Sequence, residues 1–295
     1  MNHMTIIEAI LLGLIQGVTE FLPVSSSGHL AVIENLFQMD DGAGLLFPVV
    51  LHLGTLAAVC MAFSKDIHRL LAETVHMLGD LLTNLKSYIR NKTHQDALRY
   101  RKIIHNNYRK FALLLWISTL PTAVIGILFR DTASSLWGGL LGPGIGFLIT
   151  AVALFVAHSA GDGENLPREV SLWTALLIGV GQGFAVLPGV SRLGITLTVC
   201  LLCGFKRKFA VKYAFLAGIP AIAGAAVVEL QNGAAAGMDW GDFGVYFAGA
   251  LAAGAVGFFA IRFFVRFVEL RKLRGFAVYC LVAGLFVLGC SFLFT

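Results

Sequence analysis

Six stretches of this chain are apolar for long enough to cross a bilayer, and two more are apolar but broken in the middle. The unbroken runs are Leu45–Phe63, Phe111–Phe129, Gly139–Ala157, Val211–Glu229, Phe243–Phe264 and Gly275–Phe294. Each is close to the roughly 20 residues that a helix needs to cross the hydrocarbon core. The broken stretches are 5–38 and 171–204, each with a Pro- and Gly-containing polar break near its middle. Neither half of either stretch spans comfortably. Interrupted segments persist in membranes where they line a cavity, as re-entrant hairpins. The pattern predicts an all-α polytopic membrane protein in which each re-entrant helical hairpin is followed by three transmembrane helices. The intervening segment 64–110 carries Ile67, Leu70, Leu71, Leu78, Leu81, Leu82 and Leu85 at roughly helical spacing. It predicts either a basic amphipathic helix on the inner leaflet or a solvated helical hairpin.

The two broken stretches resemble each other. The first reads Gly13-Leu-Ile-Gln16-Gly17-Val-Thr-Glu20-Phe-Leu-Pro23-Val24-Ser25-Ser26-Ser27-Gly28, and the second Gly179-Val-Gly-Gln182-Gly183-Phe-Ala-Val-Leu-Pro188-Gly-Val190-Ser191-Arg192-Leu193-Gly194. Gln-Gly, Leu-Pro, Val-Ser and Gly recur in order with one residue of slippage. Three spans follow each hairpin, and three is odd, so the repeats 1–165 and 166–295 are expected to have opposite orientations. The conclusion survives if each hairpin is two full spans, because three then becomes five. Inverted repeats bring related polar loops together near the bilayer midplane.

Composition agrees. Hydrophobic residues make up 57% of the 295 and charged residues 13%, against roughly 25% charged in a soluble domain; the mean hydropathy is +0.80. No cleavable signal peptide is expected, since Ile6–Ile15 contains Glu8 and lacks a basic flank. The five cysteines all lie in apolar segments and read as small hydrophobes, Cys200-x-x-Cys203 included. The net charge of +5 does not indicate nucleic acid, because its placement follows the membrane. Of the 22 Lys and Arg, 20 fall on one side when the hairpins re-enter; Arg130 lies on the other side and Arg192 within the membrane. By the positive-inside rule the basic side is cytoplasmic. The first hairpin then opens outward and the second to the cytoplasm.

Glu20, His29 and Arg192 fall at the hairpin breaks, where an ionisable side chain costs about 3 kcal/mol on insertion scales. A structural Glu–Arg tie is the plain reading, but the neighbours suit anion chemistry. Ser25, Ser26, Ser27 and Gly28 begin the second half-helix of the first hairpin; Ser191, Arg192 and Gly194 begin that of the second. Helix N-termini attract phosphate, and Arg192 adds bidentate geometry. Ser26 and His29, three apart, share a helix face as a nucleophile with its base or as part of a cap. Glu20 could act as base or hold a divalent cation with Gln16, one turn earlier. His52 and Thr55 lie in the first full span; for His52 a hydrogen-bonded packing role is the simpler expectation.

These residues resemble the undecaprenyl-diphosphate phosphatases linked to bacitracin resistance. Gln16-Gly-Val-Thr-Glu20-Phe-Leu-Pro-Val-Ser-Ser26-Ser-Gly-His29 is similar to the family's first motif, and Pro188-Gly-Val-Ser191-Arg192-Leu193-Gly-Ile-Thr196 to its second, Pro-Gly-x-Ser-Arg-Ser-x-x-Thr. The resemblance covers nearly the whole chain. It implies removal of the terminal phosphate of undecaprenyl diphosphate at the outer face of the bacterial inner membrane, recycling the carrier lipid for peptidoglycan. It assigns function to Glu20, Ser26, His29 and Arg192, with Gln16, Ser191 and Thr196 beside them; together with Ser25 and Ser27 at the helix start, these last three are the candidate substrate-binding residues. It also implies a divalent cation, Mg²⁺ or Ca²⁺, for which Glu20 and Gln16 are the candidate ligands. Leu193 departs from the motif, and the hydroxyl lost there either contributed to phosphate binding or capped a helix. The rival is a secondary transporter or flippase of a prenyl-phosphate lipid or other anion, since paired broken helices are common in transporters. A transporter needs no nucleophile beside a base, so Ser26, His29 and Glu20 favour catalysis.

Overall fold

The structure, a computed structural model, describes residues 4–37, 46–94, 97–161, 163–236, 243–269 and 272–294. The expected hairpin end at 38, the expected span start at Leu45 and the basic residue Arg271 lie outside the described residues. Among those described, the chain forms twelve α-helices: α1 (Ile6–Phe21), α2 (Ser26–Phe37), α3 (Leu46–Ala62), α4 (Ser64–His94), α5 (Asn107–Leu128), α6 (Arg130–Trp137), α7 (Leu141–Ser159), α8 (Leu172–Gly183), α9 (Arg192–Leu202), α10 (Arg207–Ala236), α11 (Phe243–Glu269) and α12 (Arg274–Phe294). A 3₁₀ turn, Phe184–Val186, follows α8. No strand occurs among the described residues; one isolated β-bridge joins Asn165 to Phe205.

Every unbroken apolar run becomes a helix. Five (α5, α7, α10, α11 and α12) are long and apolar enough to cross a membrane, and α3 and α4, bent by 88° at their junction, make a sixth only if the pair is counted as one span. Several outrun their apolar cores. Helix α5 starts four residues before Phe111 because the Asn106 side chain accepts the Arg109 N–H and caps it. Helix α11 continues to Glu269, beyond Phe264. Hydropathy marks where lipid ends, whereas a helix ends where its backbone finds a cap. Segment 64–110 contains the long helix α4. Helix α6 was not anticipated: its eight residues are too short and too polar to register as apolar periodicity.

Both broken stretches are helix–turn–helix. Helices α1 and α2 have 16 and 12 residues, and α8 and α9 have 12 and 11. At 1.5 Å per residue no half exceeds about 24 Å, short of the roughly 30 Å core. The hairpins are seated by glycines at close helix approaches. A Cβ on Gly17 would lie 2.6 Å from the Ala253 carbonyl oxygen of α11, and a Cβ on Gly179 would meet Ser118 O and Pro121 Cγ of α5. Small residues four apart let backbones approach where no hydrophobic effect drives association. The main core gathers Leu114, Ile178, Leu197, Tyr213 and Phe264 from five helices. A smaller one joins Leu12, Leu30 and Phe47.

Candidate functional site

The two hairpin turns bring the polar residues together. In the first, α1 ends at Phe21, and the chain passes through Pro23 and Val24 to Ser25, whose φ of +66° is positive for a non-glycine residue. Such a backbone persists only when its surroundings over-determine it, and here they do. Ser25 Oγ accepts the Gly28 N–H and lies 3.1 Å from Ser27 Oγ. Its carbonyl accepts from both the His29 N–H and, at 2.7 Å, His29 Nδ1. In the second, Gly189 takes φ +85° against α7, the Thr150 hydroxyl donates to its carbonyl, and the Ser191 N–H donates to Thr150 Oγ1. The turns touch: a Cβ on Gly28 would lie 2.8 Å from Gly189 Cα.

Glu20 is the hub. Its side chain is 6% exposed. One oxygen, Oε1, pairs with Arg192 Nη2, an ion pair that joins the two hairpins. The other, Oε2, accepts from Ser26 Oγ at 2.6 Å and Gln16 Nε2 at 3.0 Å, with His52 Nε2 at 3.4 Å. Gln16 and Glu20 meet because four residues is one helical turn. Ser26 meets Glu20 because the turn folds α2 back onto α1. Helices α2 and α9 both begin at the site, at Ser26 and Arg192, so their first-turn N–H groups point toward it.

His29 takes a different place from the one its spacing suggests. It shares the first turn of α2 with Ser26, but the Ser26 hydroxyl donates to Glu20. Nδ1 donates to the Ser25 carbonyl, so in the neutral ring Nε2 accepts from Tyr279 Oη, 2.6 Å away. The imidazole stacks on Tyr279 and meets the edge of Phe147. His52 combines the packing role with a place at the site: Nδ1 donates to Pro48 O, and Nε2 faces Glu20. Thr55 is buried and donates to the His52 carbonyl. Ser191 caps α9 by accepting the Gly194 N–H, and Thr196 donates to Arg192 O. Leu193 is buried in the main core, on one face with Leu197 and Leu201. The cap at this helix start is therefore Ser191.

Tyr279, Thr150 and Gln182 escaped the sequence reading. Gln182 donates to Thr122 Oγ1 and Ala217 O and accepts from Thr196; its signal was the Gln-Gly repeat shared with Gln16. Tyr279 lies 250 residues from His29, and no local pattern links them. Cys200 in α9 and Cys203 at its C-cap are free thiols.

Gln16 Oε1 is buried with no hydrogen-bond partner, beside the Glu20 carboxylate. Among the described residues, no group of three or more His, Cys, Asp or Glu is arranged to hold a metal ion. The oxygens at the site that could contribute to holding a cation are the Glu20 carboxylate and Gln16 Oε1.

Proteins of known kind resemble this chain from end to end. The family described as bacitracin resistance protein BacA matches residues 9–286. A protein named undecaprenyl-diphosphatase from Alkaliphilus metalliredigens is 38% identical over 292 residues, 98% of this chain and all of that protein. Proteins of the same name from Methanosphaera stadtmanae and Christiangramia forsetii are each 34% identical, over 95% and 96% of this chain and 96% and 97% of theirs. With two hairpins meeting at a buried carboxylate and a match that runs almost its full length, the chain belongs to the bacitracin resistance protein BacA family.

Proposed function

We infer that this chain hydrolyses undecaprenyl diphosphate to undecaprenyl phosphate and inorganic phosphate, recycling the carrier lipid of wall synthesis and conferring resistance to bacitracin. The observation that carries the chemistry is the Ser26 hydroxyl, 2.6 Å from a buried carboxylate that is itself paired with Arg192. A serine, a hydrogen-bonded base and a fixed cation are what phosphoryl transfer to a side chain requires. The diphosphate enters with its prenyl chain in lipid. Arg192 has donors beyond those that face Glu20, and these hold the terminal phosphate together with the first-turn N–H groups of α2 and α9. Ser26 Oγ attacks the terminal phosphorus while Glu20 takes its proton. The bond from that phosphorus to the bridging oxygen breaks, and undecaprenyl phosphate leaves. Water then attacks the phosphoserine, the Oγ–P bond breaks, and the proton returns to Ser26. His29 holds the Ser25 turn in place. Gln16, Ser25, Ser27, Ser191 and Thr196 shape the substrate pocket. A Mg²⁺ or Ca²⁺ ion would be held by Glu20 and Gln16 Oε1 with the diphosphate oxygens completing its shell, and it would neutralise phosphate charge.

Helix packing supports inverted repeats over 1–165 and 166–295. Exchanging the halves maps α1 on α11 onto α8 on α5, and α3 on α11 onto α10 on α5, while α7 with α12 and α3 with α10 map onto themselves. Lys212 with Asp66 and Arg207 with the Ala160 carbonyl link basic loops at one end; Asn35 reaches Trp137 O at the other. The basic end is cytoplasmic by the positive-inside rule, and the site opens to the outer face of the bacterial inner membrane.

The test is phosphate release from a prenyl diphosphate by detergent-purified protein beside Ser26→Ala. Release by the parent that collapses in the folded variant is expected. No release by monodisperse parent protein across a range of Mg²⁺ and Ca²⁺ would refute the reading and turn attention to lipid transport.

A further inference from the structure

Helix α4 takes no part in the chemistry above, yet it carries an exposed apolar stripe. Leu71, Val75, Leu78, Leu82, Leu85 and Ile89 are each more than half exposed. At 3.6 residues per turn they fall within an arc of about 80°. Lys65, Arg69, Lys86 and Arg90 lie outside that arc, about 60° to 160° from its centre. A helix so divided is built for a boundary between an apolar and an aqueous medium.

The geometry orients the stripe. Helix α4 leaves α3 at 88°, so where α3 crosses the bilayer α4 runs along its surface. Helix α5 then enters the membrane beside α4 and touches it at two levels. At the first turn of α5, Tyr108 and Arg109 bind Asp66, Glu73 and Asp80 on the polar side of α4. Seven residues, or about 10 Å, deeper, Trp116 Nε1 donates to Thr74 at the edge of the apolar stripe. Moving along α5 into the bilayer therefore means moving from the polar side of α4 to its apolar side. The charge is complementary to an anionic surface. Segment 64–110 holds ten Lys and Arg against four Asp and Glu. Three of those four acids are engaged internally, Asp66 by Lys212, Glu73 by Arg109, and Asp80 by Arg109 and Arg101.

We propose that α4 lies in the interfacial layer of the leaflet from which α3 emerges, its leucine stripe among acyl chains and its basic side chains among anionic headgroups. The proposal rests on α3 and α5 being spans and on none of the hydrolytic chemistry. Partial immersion of an apolar face, combined with attraction of Lys and Arg to anionic lipid, is sufficient to hold such a helix.

The experiment uses the full-length protein with Cys60, Cys203 and Cys290 replaced by Ser, spin-labelled singly at Leu78→Cys, Leu82→Cys, Thr83→Cys or Lys86→Cys. Each is reconstituted in phosphatidylcholine vesicles with or without phosphatidylglycerol, after monodisperse elution has established that it is folded. At Leu78 and Leu82, collision with oxygen should exceed collision with a water-soluble nickel chelate several-fold; at Thr83 and Lys86 the order should reverse. Omitting phosphatidylglycerol should make the Leu82 label shallower. Equal nickel access at all four positions would overturn the proposal by placing α4 in water. Stripe labels shielded from both reagents and broadened by one another would overturn it in favour of a second copy. A depth indifferent to phosphatidylglycerol would overturn the anionic contribution.

Discussion

Removing one member of the Glu20–Arg192 pair should harm the protein more than removing both. Truncating one partner of a buried pair costs about 3–5 kcal/mol, because the other charge is left uncompensated. The two side chains are unequally buried, Glu20 6% exposed and Arg192 23%. Arg192→Met leaves the carboxylate buried with only neutral donors and His52, at about 3 kcal/mol. Glu20→Gln leaves a guanidinium that can turn toward solvent, at about 1–2 kcal/mol. The double variant leaves neither charge and should cost about 1 kcal/mol, well below the sum of the singles. Thermal unfolding in detergent, followed through the thiols of Cys200 and Cys280 that are buried in the fold, reads this at about 2 °C per kcal/mol for a chain of this size. Activity should follow a different order. All three variants should lose at least roughly 10²-fold in phosphate release, because the proton acceptor or the phosphate contact is gone. Stability losses that simply add would refute the paired arrangement. A Glu20→Gln protein that keeps more than about a tenth of parent activity would refute Glu20 as the proton acceptor.

Tyr279→Phe keeps the ring stacked on His29 but removes the hydroxyl at 2.6 Å; with one hydrogen bond worth about 1 kcal/mol, phosphate release should fall about fivefold as the Ser25 turn loosens, and Tm should fall by about 2 °C. Gly17→Val places a Cβ 2.6 Å from the Ala253 carbonyl oxygen, so α1 must move off α11 at about 1–3 kcal/mol and carry Glu20 away from Arg192. Gly126→Ala, with nothing within 4 Å of the new Cβ, is the silent control, and equal activities in the two would count against the close approach. Leu193→Ser restores the family's hydroxyl but exchanges a core side chain for a polar one, so Tm should drop by an amount equivalent to about 3 kcal/mol with no gain in phosphate release. Hydrogen bonds from Arg109 and then Arg101 hold the Asp80 carboxyl below its usual range. Its hold on Arg109 is therefore fully present above the ordinary carboxylate pKa of about 4 and is lost only as pH falls through the depressed folded value. Proteolysis of segment 97–106 should stay slow to that pH in the parent and be fast already at neutral pH in Asp80→Asn.

The parts of this protein legible in its sequence are those governed by one-dimensional constraints. Lipid has one thickness, so Phe111–Phe129 or Gly275–Phe294 can be recognised as spans from local hydropathy alone, and the halves on either side of Pro23 and Pro188 as too short. The motif residues are legible for a related reason: Glu20 and Arg192 are costly in a membrane, and cost marks them without reference to a fold. Helical spacing brought Gln16 to Glu20 correctly, because both lie on one uninterrupted turn.

Spacing failed where a turn intervened. Ser26 and His29 lie three apart on α2, yet Ser26 bonds to Glu20 and His29 to Tyr279. The turn at Ser25, with its positive φ, folds α2 back so that its first hydroxyl faces α1, and only the tertiary structure contains that rotation. The same holds for His52, which enters the site from a separate span, and for α4, whose amphipathic pattern is plain but whose right-angle departure from α3 gives the stripe something to face. A sequence states which side chains are costly to bury and which share a helix face. Which partner meets each of them depends on how the helices are turned against one another, and that is decided by contacts between residues as much as 250 positions apart.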